Sequence, residues 1–266
     1  MKRVVVSIFG LGALLLIGIV IYQVSVNWLI LRPASLLTFS ASYENFQVHS
    51  DAPVDPAELS RVADHVGLRL DNILDYGREQ QTVFLCNDPE IFGAFARKAG
   101  RSQNVQGFNL QPLDYIFINL DFIGETRDRN TTGHQYSILE GSESHIVAHE
   151  ICHGLITRRL GYWKMRRTES WKQEGFCEYA ATVNLKKRDA SYRFEDFASA
   201  YFAGEYQRYP PGKQFYIGSQ LAVEYFLDHN NGTFEELMNT EIQRAEILAE
   251  IEAVVNRESR TQPRDG

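Results

Sequence analysis

The sequence predicts an α+β protein with three parts: an N-terminal apolar helix, a small mixed β-sheet with helices, and a mainly helical C-terminal part. Three observations support this prediction. An uncharged run follows Lys2 and Arg3 and extends through residue 31. Strand and helix patterns alternate over residues 41–161, and helical patterns dominate residues 162–255. We expect residues 41–255 to form one domain and residues 256–266 to form a flexible tail.

The N-terminal run predicts a membrane anchor. Residues 4–22 are almost wholly apolar, which is long enough to span a bilayer. No small-residue cleavage site follows closely, so we expect an uncleaved signal anchor at residues 1–31. Positive charge before the run favours a cytoplasmic N-terminus. The rest of the chain would then lie in the periplasm, outside the cell or in a lumen, with the lipid bilayer as a partner.

Composition and charge narrow the function classes. The chain has 266 residues, of which 44% are hydrophobic and 23% charged, as in ordinary globular proteins. The formal net charge of −7 argues against a nucleic-acid partner, which would call for a basic surface. A local basic cluster is expected to be a solvated turn, with contact to lipid headgroups or to an acidic substrate as the alternative; it consists of Arg158, Arg159, Lys164, Arg166 and Arg167.

The sheet region follows from short patterns taken in order. Strands are predicted at residues 46–49, 82–86 and 115–120. A helix with apolar residues at three-four spacing is predicted at residues 55–76 and should end at Gly77. A second helix should open at Asp88-Pro89 and end near Gly100. Residues 125–141 are polar and predict a loop that could form a rim beside the next helix.

The C-terminal half predicts helices interrupted by a Pro-Pro-Gly break. One helix is expected at residues 214–229 and another at residues 234–255. The three cysteines are expected to be buried free thiols, although a disulfide between Cys152 and Cys177 would be possible in an oxidising compartment; the third is Cys86.

The most informative motif is His149-Glu150-Ile151-Cys152-His153, an H-E-x-x-H pattern. Ser142 should cap its helix, which is expected to run to about residue 160 and to end at Gly161. Histidines four apart project from one helix face and suit a tetrahedral zinc ion. Glu150 lies beside the first histidine and could handle a proton.

A zinc site needs a third protein ligand. Glu169, Glu174 and Glu178 are the candidates, and the last two lie four residues apart on one face of a segment that should form a second helix, antiparallel to the first. Spacing alone leaves these alternatives open.

The two motifs together resemble the gluzincin metallopeptidases, in particular the peptidase MA-like group. The second motif of that group, W-x-x-E-G-x-x-x-Y, matches Trp171, Glu174, Gly175 and Tyr179. The resemblance spans about residues 46–227 and implies a zincin-like fold, a small mixed sheet followed by a helical subdomain.

The resemblance also implies roles for individual residues. His149, His153 and Glu174 would bind Zn²⁺, and Glu150 would be the general base. Glu178 would form a hydrogen bond with the first ligand histidine. Residues 115–120 would form the edge strand that pairs with the substrate backbone.

Departures from related families limit the assignment. The G-x-M-E-N element of the large aminopeptidases is absent, and the third histidine of the metzincin pattern would fall at Arg159. Tyr216 resembles the tyrosine that stabilises the oxyanion, with competitors in Tyr201, Tyr206, Tyr209 and Tyr225. His145 lies four residues before His149 on the same helix face and is expected to be an exposed histidine at the helix start, with a role in supporting the metal ligands as the alternative.

The expected function is zinc-dependent hydrolysis of peptide bonds in a peptide or protein substrate, outside the cytoplasm. Zinc would activate a water molecule, and Glu150 would remove its proton. Two alternatives remain: a zinc-containing membrane protein that binds peptides or partners without cleaving them, and a hydrolase of a non-protein amide in the cell envelope.

Overall fold

A computed structural model describes residues 17–18, 32–111, 113–121 and 142–261. The predicted membrane anchor at 1–31 lies outside the described residues, apart from Ile17 and Gly18, and so does the predicted loop at 125–141. Within the part that is described, no helix is both long enough and apolar enough to cross a membrane. The α+β prediction is confirmed for these residues.

Five strands form one mixed sheet. They are β1 (Phe39–Tyr43), β2 (Phe46–Ser50), β3 (Gln81–Cys86), β4 (Gly107–Leu110) and β5 (Tyr115–Asn119), in the order β1-β2-β3-β5-β4. The three inner strands are parallel, and the two outer strands run antiparallel to their neighbours. The prediction that residues 115–120 form the edge strand is therefore wrong: β5 is paired on both sides, and β4 is the edge strand next to it.

Both faces of the sheet are covered, which explains the continuous apolar runs in the inner strands. Val83 and Ile116 point into the larger core, which α1 (Pro56–Leu70) helps to form, whereas Phe84 and Phe117 point into a smaller one. The ring centroids of these two phenylalanines lie 4.8 Å apart. The smaller core packs against α2 (Pro89–Lys98).

The first two long helices begin as predicted, but α1 ends early. Asp55 and Asp88 cap them, each followed by a proline in the first turn. Helix α1 ends at Leu70 and not near Tyr76, because the following turns hold Asn72 and Leu74 at positive φ, which a right-handed helix cannot contain. A short 3-10 helix, Pro33–Ser35, precedes β1.

The helical half begins with the motif helix. Its elements are α3 (Glu143–Leu160), α4 (Tyr162–Met165), α5 (Ser170–Lys186), α6 (Phe194–Phe202), α7 (Pro211–Glu224), a π-helical turn (Tyr225–His229), α8 (Phe234–Asn239) and α9 (Arg244–Thr261). The single helix predicted at 234–255 is wrong. Thr233 and Glu236 form a capping box that starts α8, and the extended Thr240 ends it.

The predicted tail is also partly wrong, since the backbone of α9 remains helical to Thr261. Residues 262–266 lie outside the described part. The extensive packing of α5 against α3 and α7 places the two motif helices at the centre of the larger core.

Candidate metal centre

The motif helix α3 has the limits that the sequence predicts. The Ser142 hydroxyl accepts a hydrogen bond from the backbone N–H of His145 at the N-terminus, and Gly161 follows the last residue with φ of 79°. The helix is buried along most of its length because it lies between the sheet and α5. His149 and His153 face α5 from consecutive turns.

Helix α5 runs antiparallel to α3. His145 contacts Glu178, and His149, one turn later in α3, contacts Glu174, one turn earlier in α5. On its other side α5 packs against α7, and Gly175 lies where the two helices come close together. A Cβ atom at this position would lie 2.5 Å from the backbone oxygen of Ser219 in α7. The glycine of the second motif therefore permits a close helix crossing.

Three ligand-type side chains converge between the helices. His149 Nε2 lies 3.2 Å from His153 Nε2 and 3.2 Å from Glu174 Oε2. The distance from His153 Nε2 to the same carboxylate oxygen is 3.4 Å. Two imidazole nitrogens and a carboxylate oxygen thus face one another at short distances. This donor set fits a divalent transition metal such as zinc.

Cys177 lies in the same cluster. One ligand atom each from His149, His153 and Cys177 lies within 4.8 Å of the others, so this group could also hold a metal ion, and it is not specific to zinc. Burial raises the pKa of the Cys177 thiol well above its usual value, and the hydrogen bond with Cys152 raises it further. Glu174 Oε2 lies 3.2 Å and 3.4 Å from the two imidazole nitrogens, and Glu174 lines the cleft whereas Cys177 does not, which favours Glu174 as the third ligand.

Electrostatics couple the residues of the cluster. Burial lowers the pKa of His149, but its contacts with Glu174 and Glu178 raise it well above the usual value. Burial raises the pKa of Glu174, yet the charge of His153 and hydrogen bonds from both histidines depress it strongly. The carboxylate is therefore ionised and available as a metal ligand over the physiological pH range.

Glu178 links two histidines of α3. Its Oε1 atom lies 2.9 Å from His149 Nδ1, and its Oε2 atom lies 3.1 Å from His145 Nε2. The expectation that His145 is exposed is wrong, because only 1% of its surface is accessible. His145 lies four residues before His149 and therefore on the same face of α3. This spacing could have indicated that His145 is buried beside α5.

Glu150 belongs to α3, and its backbone contacts the edge strand β4. Burial raises its pKa, and the positive charges of His153 and His149 oppose that rise. Its backbone carbonyl accepts a hydrogen bond of 3.0 Å from Asn109 Nδ2 in β4, and the same amide group donates to Asp114 Oδ1 over 2.7 Å. Asn109 was not singled out in the sequence, since nothing predicted β4.

Tyr216 is the candidate tyrosine that reaches the cluster. Its ring centroid lies 6.0 Å from that of His149, and its hydroxyl interacts with Glu174. Burial and the charges of Glu174 and Glu150 raise its pKa, so the hydroxyl keeps its proton. The competing tyrosines lie elsewhere: Tyr201, Tyr206 and Tyr209 pack around Ile217, and Tyr225 stacks near Phe194.

Glu169 and Cys86 lie outside the cluster. Glu169 stands just before α5, where it accepts a hydrogen bond from Trp171 Nε1 over 2.7 Å. The three cysteines are buried and unpaired, as expected; Cys86 lies in the smaller core, away from the other two.

A cleft of about 630 Å³ opens onto these residues. It is lined by His149, Glu150, His153, Glu174 and Tyr216, and along one side by the edge strand β4. The carboxylate of Glu178 and the ring of His145 lie behind the histidines, outside the lining. The structure thus separates residues that face the cleft from residues that support them.

No protein-family model matches this chain, and a search of curated proteins finds no significant match.

Proposed function

We propose that this protein is a zinc metallopeptidase of the gluzincin type, with a zincin-like fold, a membrane anchor at residues 1–31 and its catalytic domain outside the cytoplasm. One observation carries the proposal: His149 Nε2, His153 Nε2 and Glu174 Oε2 lie within 3.4 Å of one another in a cleft that Glu150 also lines. His149, His153 and Glu174 would hold the ion. Zinc, when bound there, would supply Lewis-acid chemistry, lowering the pKa of water and polarising a carbonyl.

Glu150 acts as the proton carrier. It takes a proton from the attacking water and delivers it to the amine of the leaving group. Its raised pKa suits this exchange, because a base that titrates nearer neutral pH both accepts and returns a proton readily. The hydrogen bond from Asn109 to the Glu150 carbonyl fixes the backbone from which the carboxylate projects.

Tyr216 is placed to stabilise negative charge. Its protonated hydroxyl, next to Glu174, can donate a hydrogen bond to the oxygen of the scissile carbonyl as charge develops there. Only a hydroxyl that keeps its proton at the pH of the reaction can donate this hydrogen bond.

The edge strand offers a surface for the substrate backbone. Gly107–Leu110 pairs with β5 on one side only, and its residues line the cleft on the other. A peptide in extended conformation can add to such an edge through backbone hydrogen bonds. Support for a peptide substrate therefore comes from β4 and not from the strand first expected to do this.

Metal analysis and a peptide digest test the proposal. The full-length protein, purified in a neutral detergent, is expected to contain one zinc ion per chain and to cleave members of a peptide library. A chelator should abolish cleavage, and added zinc should restore it. Stoichiometric zinc without cleavage of any peptide would instead favour the non-catalytic binding protein, and a protein that binds no metal would refute the site.

A further inference from the structure

Two arginines line the cleft in addition to the residues of the metal centre. Arg101 follows α2, and Arg166 follows α4, so they come from different elements of the fold. Neither guanidinium has a hydrogen-bond or ion-pair partner among the residues that the structure describes.

Arg166 differs in this respect from Arg158 and Arg159, two other arginines of the same basic cluster. Arg158 forms ion pairs with Asp114 and Glu79, and Arg159 forms ion pairs with Asp75 and Glu235. These two arginines are neutralised within the protein. Arg166 is left with its charge facing the cleft.

The other charged residues that line the cleft belong to the proposed metal centre. Glu150 and Glu174 are the acidic residues among its described lining, and the proposed function uses both. The two arginines therefore set the charge that a substrate meets, in a chain whose formal net charge is −7. Guanidinium groups bind carboxylates in a planar, bidentate geometry.

We propose that Arg101 and Arg166 select peptides that carry carboxylates, an inference that rests on the proposed peptidase function and deepens it. The carboxylate comes either from an acidic side chain or from a free C-terminus. Uncharged isosteres of the same peptides bind more weakly because they form no ion pair with either arginine.

Binding to a variant that does not cleave tests this selection. The probes are two fluorescent ten-residue peptide pools, identical except that one has Glu where the other has Gln at every third position, each with a free or an amidated C-terminus. Affinities are measured by fluorescence anisotropy with full-length, zinc-loaded Glu150→Gln protein in neutral detergent. Each exposed ion pair should change affinity by up to about fivefold.

The expected result is tighter binding of the Glu pool, or of the free C-terminus, by about fivefold to twentyfold with both arginines present. Arg101→Gln and Arg166→Gln should each lose part of this preference, and the double variant should lose all of it. High salt should also weaken the preference of the wild-type arginines for carboxylate-bearing peptides. Arg167→Gln, a change of the neighbouring exposed arginine that does not line the cleft, is the matched control and should keep the preference.

Equal affinities for charged and uncharged pools, or a full preference in the double variant, would overturn the inference. The wild-type protein is digested with the same pools in parallel. Chelator-sensitive cleavage without any charge preference sinks this inference alone. A charge preference in binding without any cleavage supports the arginine assignment and sinks the peptidase proposal.

Discussion

Glu178 and His149 lie in direct contact, with 2.9 Å between Oε1 of the carboxylate and Nδ1 of the ring. The other nitrogen of this ring lies 3.2 Å from Glu174. A carboxylate behind an imidazole fixes the ring orientation and leaves the lone pair of the opposite nitrogen directed at a metal. The second oxygen of Glu178 contacts the buried His145, so the carboxylate is itself held in place.

Glu178→Gln should weaken zinc binding by about tenfold to a hundredfold, because the amide is a weaker acceptor and no longer favours the required tautomer of His149. Competition with a chromogenic zinc chelator measures the affinity. Glu205→Gln, a change of an exposed glutamate in the turn after α6, should leave the affinity unchanged. Equal zinc affinity in the wild type and the Glu178 variant would show that this contact does not support the site.

The same carboxylate should make the metal-free protein sensitive to acid. Burial raises the pKa of Glu178, but the charge of His145 and the close contacts of the carboxylate with both histidines lower it to about 2, below its usual value of 4.5. A carboxylate with a depressed pKa stabilises the folded state above pH 4.5, and this contribution is lost as the pH falls toward 2.

We therefore expect the free energy of unfolding of the chelator-treated protein to fall by roughly 2 to 3 kcal/mol more in the wild type than in Glu178→Gln between these pH values. Urea unfolding at a series of pH values measures the difference. Parallel pH profiles for the two proteins would contradict this assignment of the depressed pKa.

The sequence predicted the helices of the site well because their signals are local. Ser142 provides a side-chain cap, and Gly161 provides a stop with positive φ, so both ends of α3 are determined by residues beside them. The four-residue spacings within α3 and α5 likewise follow from helix geometry. The antiparallel contact of the two helices then brings Glu174 and Glu178 to the histidines.

The missed features depend on distant parts of the chain. The edge strands β1 and β4 have only five and four residues, too few for their alternation to stand out from the surrounding loops, so their pairing is determined by the neighbours that they meet. The burial of His145 requires Glu178, which lies 33 residues away. The early end of α1 follows from non-glycine residues at positive φ, which no composition signal indicates.

Gly175→Ala should destabilise the protein by about 1 to 3 kcal/mol, since the new methyl group would overlap the backbone of Ser219 and force α5 and α7 apart. Thermal unfolding measures the effect. Gly212→Ala is the matched control: this residue lies in the first turn of α7 with nothing within 4 Å of a Cβ, so the change should be neutral or stabilise by less than about 1 kcal/mol. Equal effects of the two substitutions would argue against a close helix crossing at Gly175.

Glu150→Gln and His153→Ala should separate catalysis from metal binding. The first variant is expected to keep its zinc and to lose at least about a hundredfold in kcat, because the amide cannot carry the proton. The second should lose the metal, since it removes one of the three proposed ligands. Zinc content and peptide hydrolysis are measured on the same samples, and full activity in the Gln variant would refute the role of Glu150.

Asn109→Asp tests whether the edge strand positions Glu150, the proposed general base. The amide of Asn109 donates to the Glu150 carbonyl and to Asp114, and its oxygen accepts from Gln111 Nε2 over 2.7 Å. An aspartate has no proton to donate and would face two acceptors, so β4 and α3 should separate slightly. We expect kcat/KM to fall about tenfold with zinc content unchanged, because displacements well below 1 Å at a catalytic group are sufficient for such losses.

Asn104→Asp, at an exposed position before β4, is the control and should retain full activity. If kcat/KM is unchanged in Asn109→Asp, the hydrogen bond to Glu150 does not position the base, and β4 contributes only as a surface for the substrate backbone.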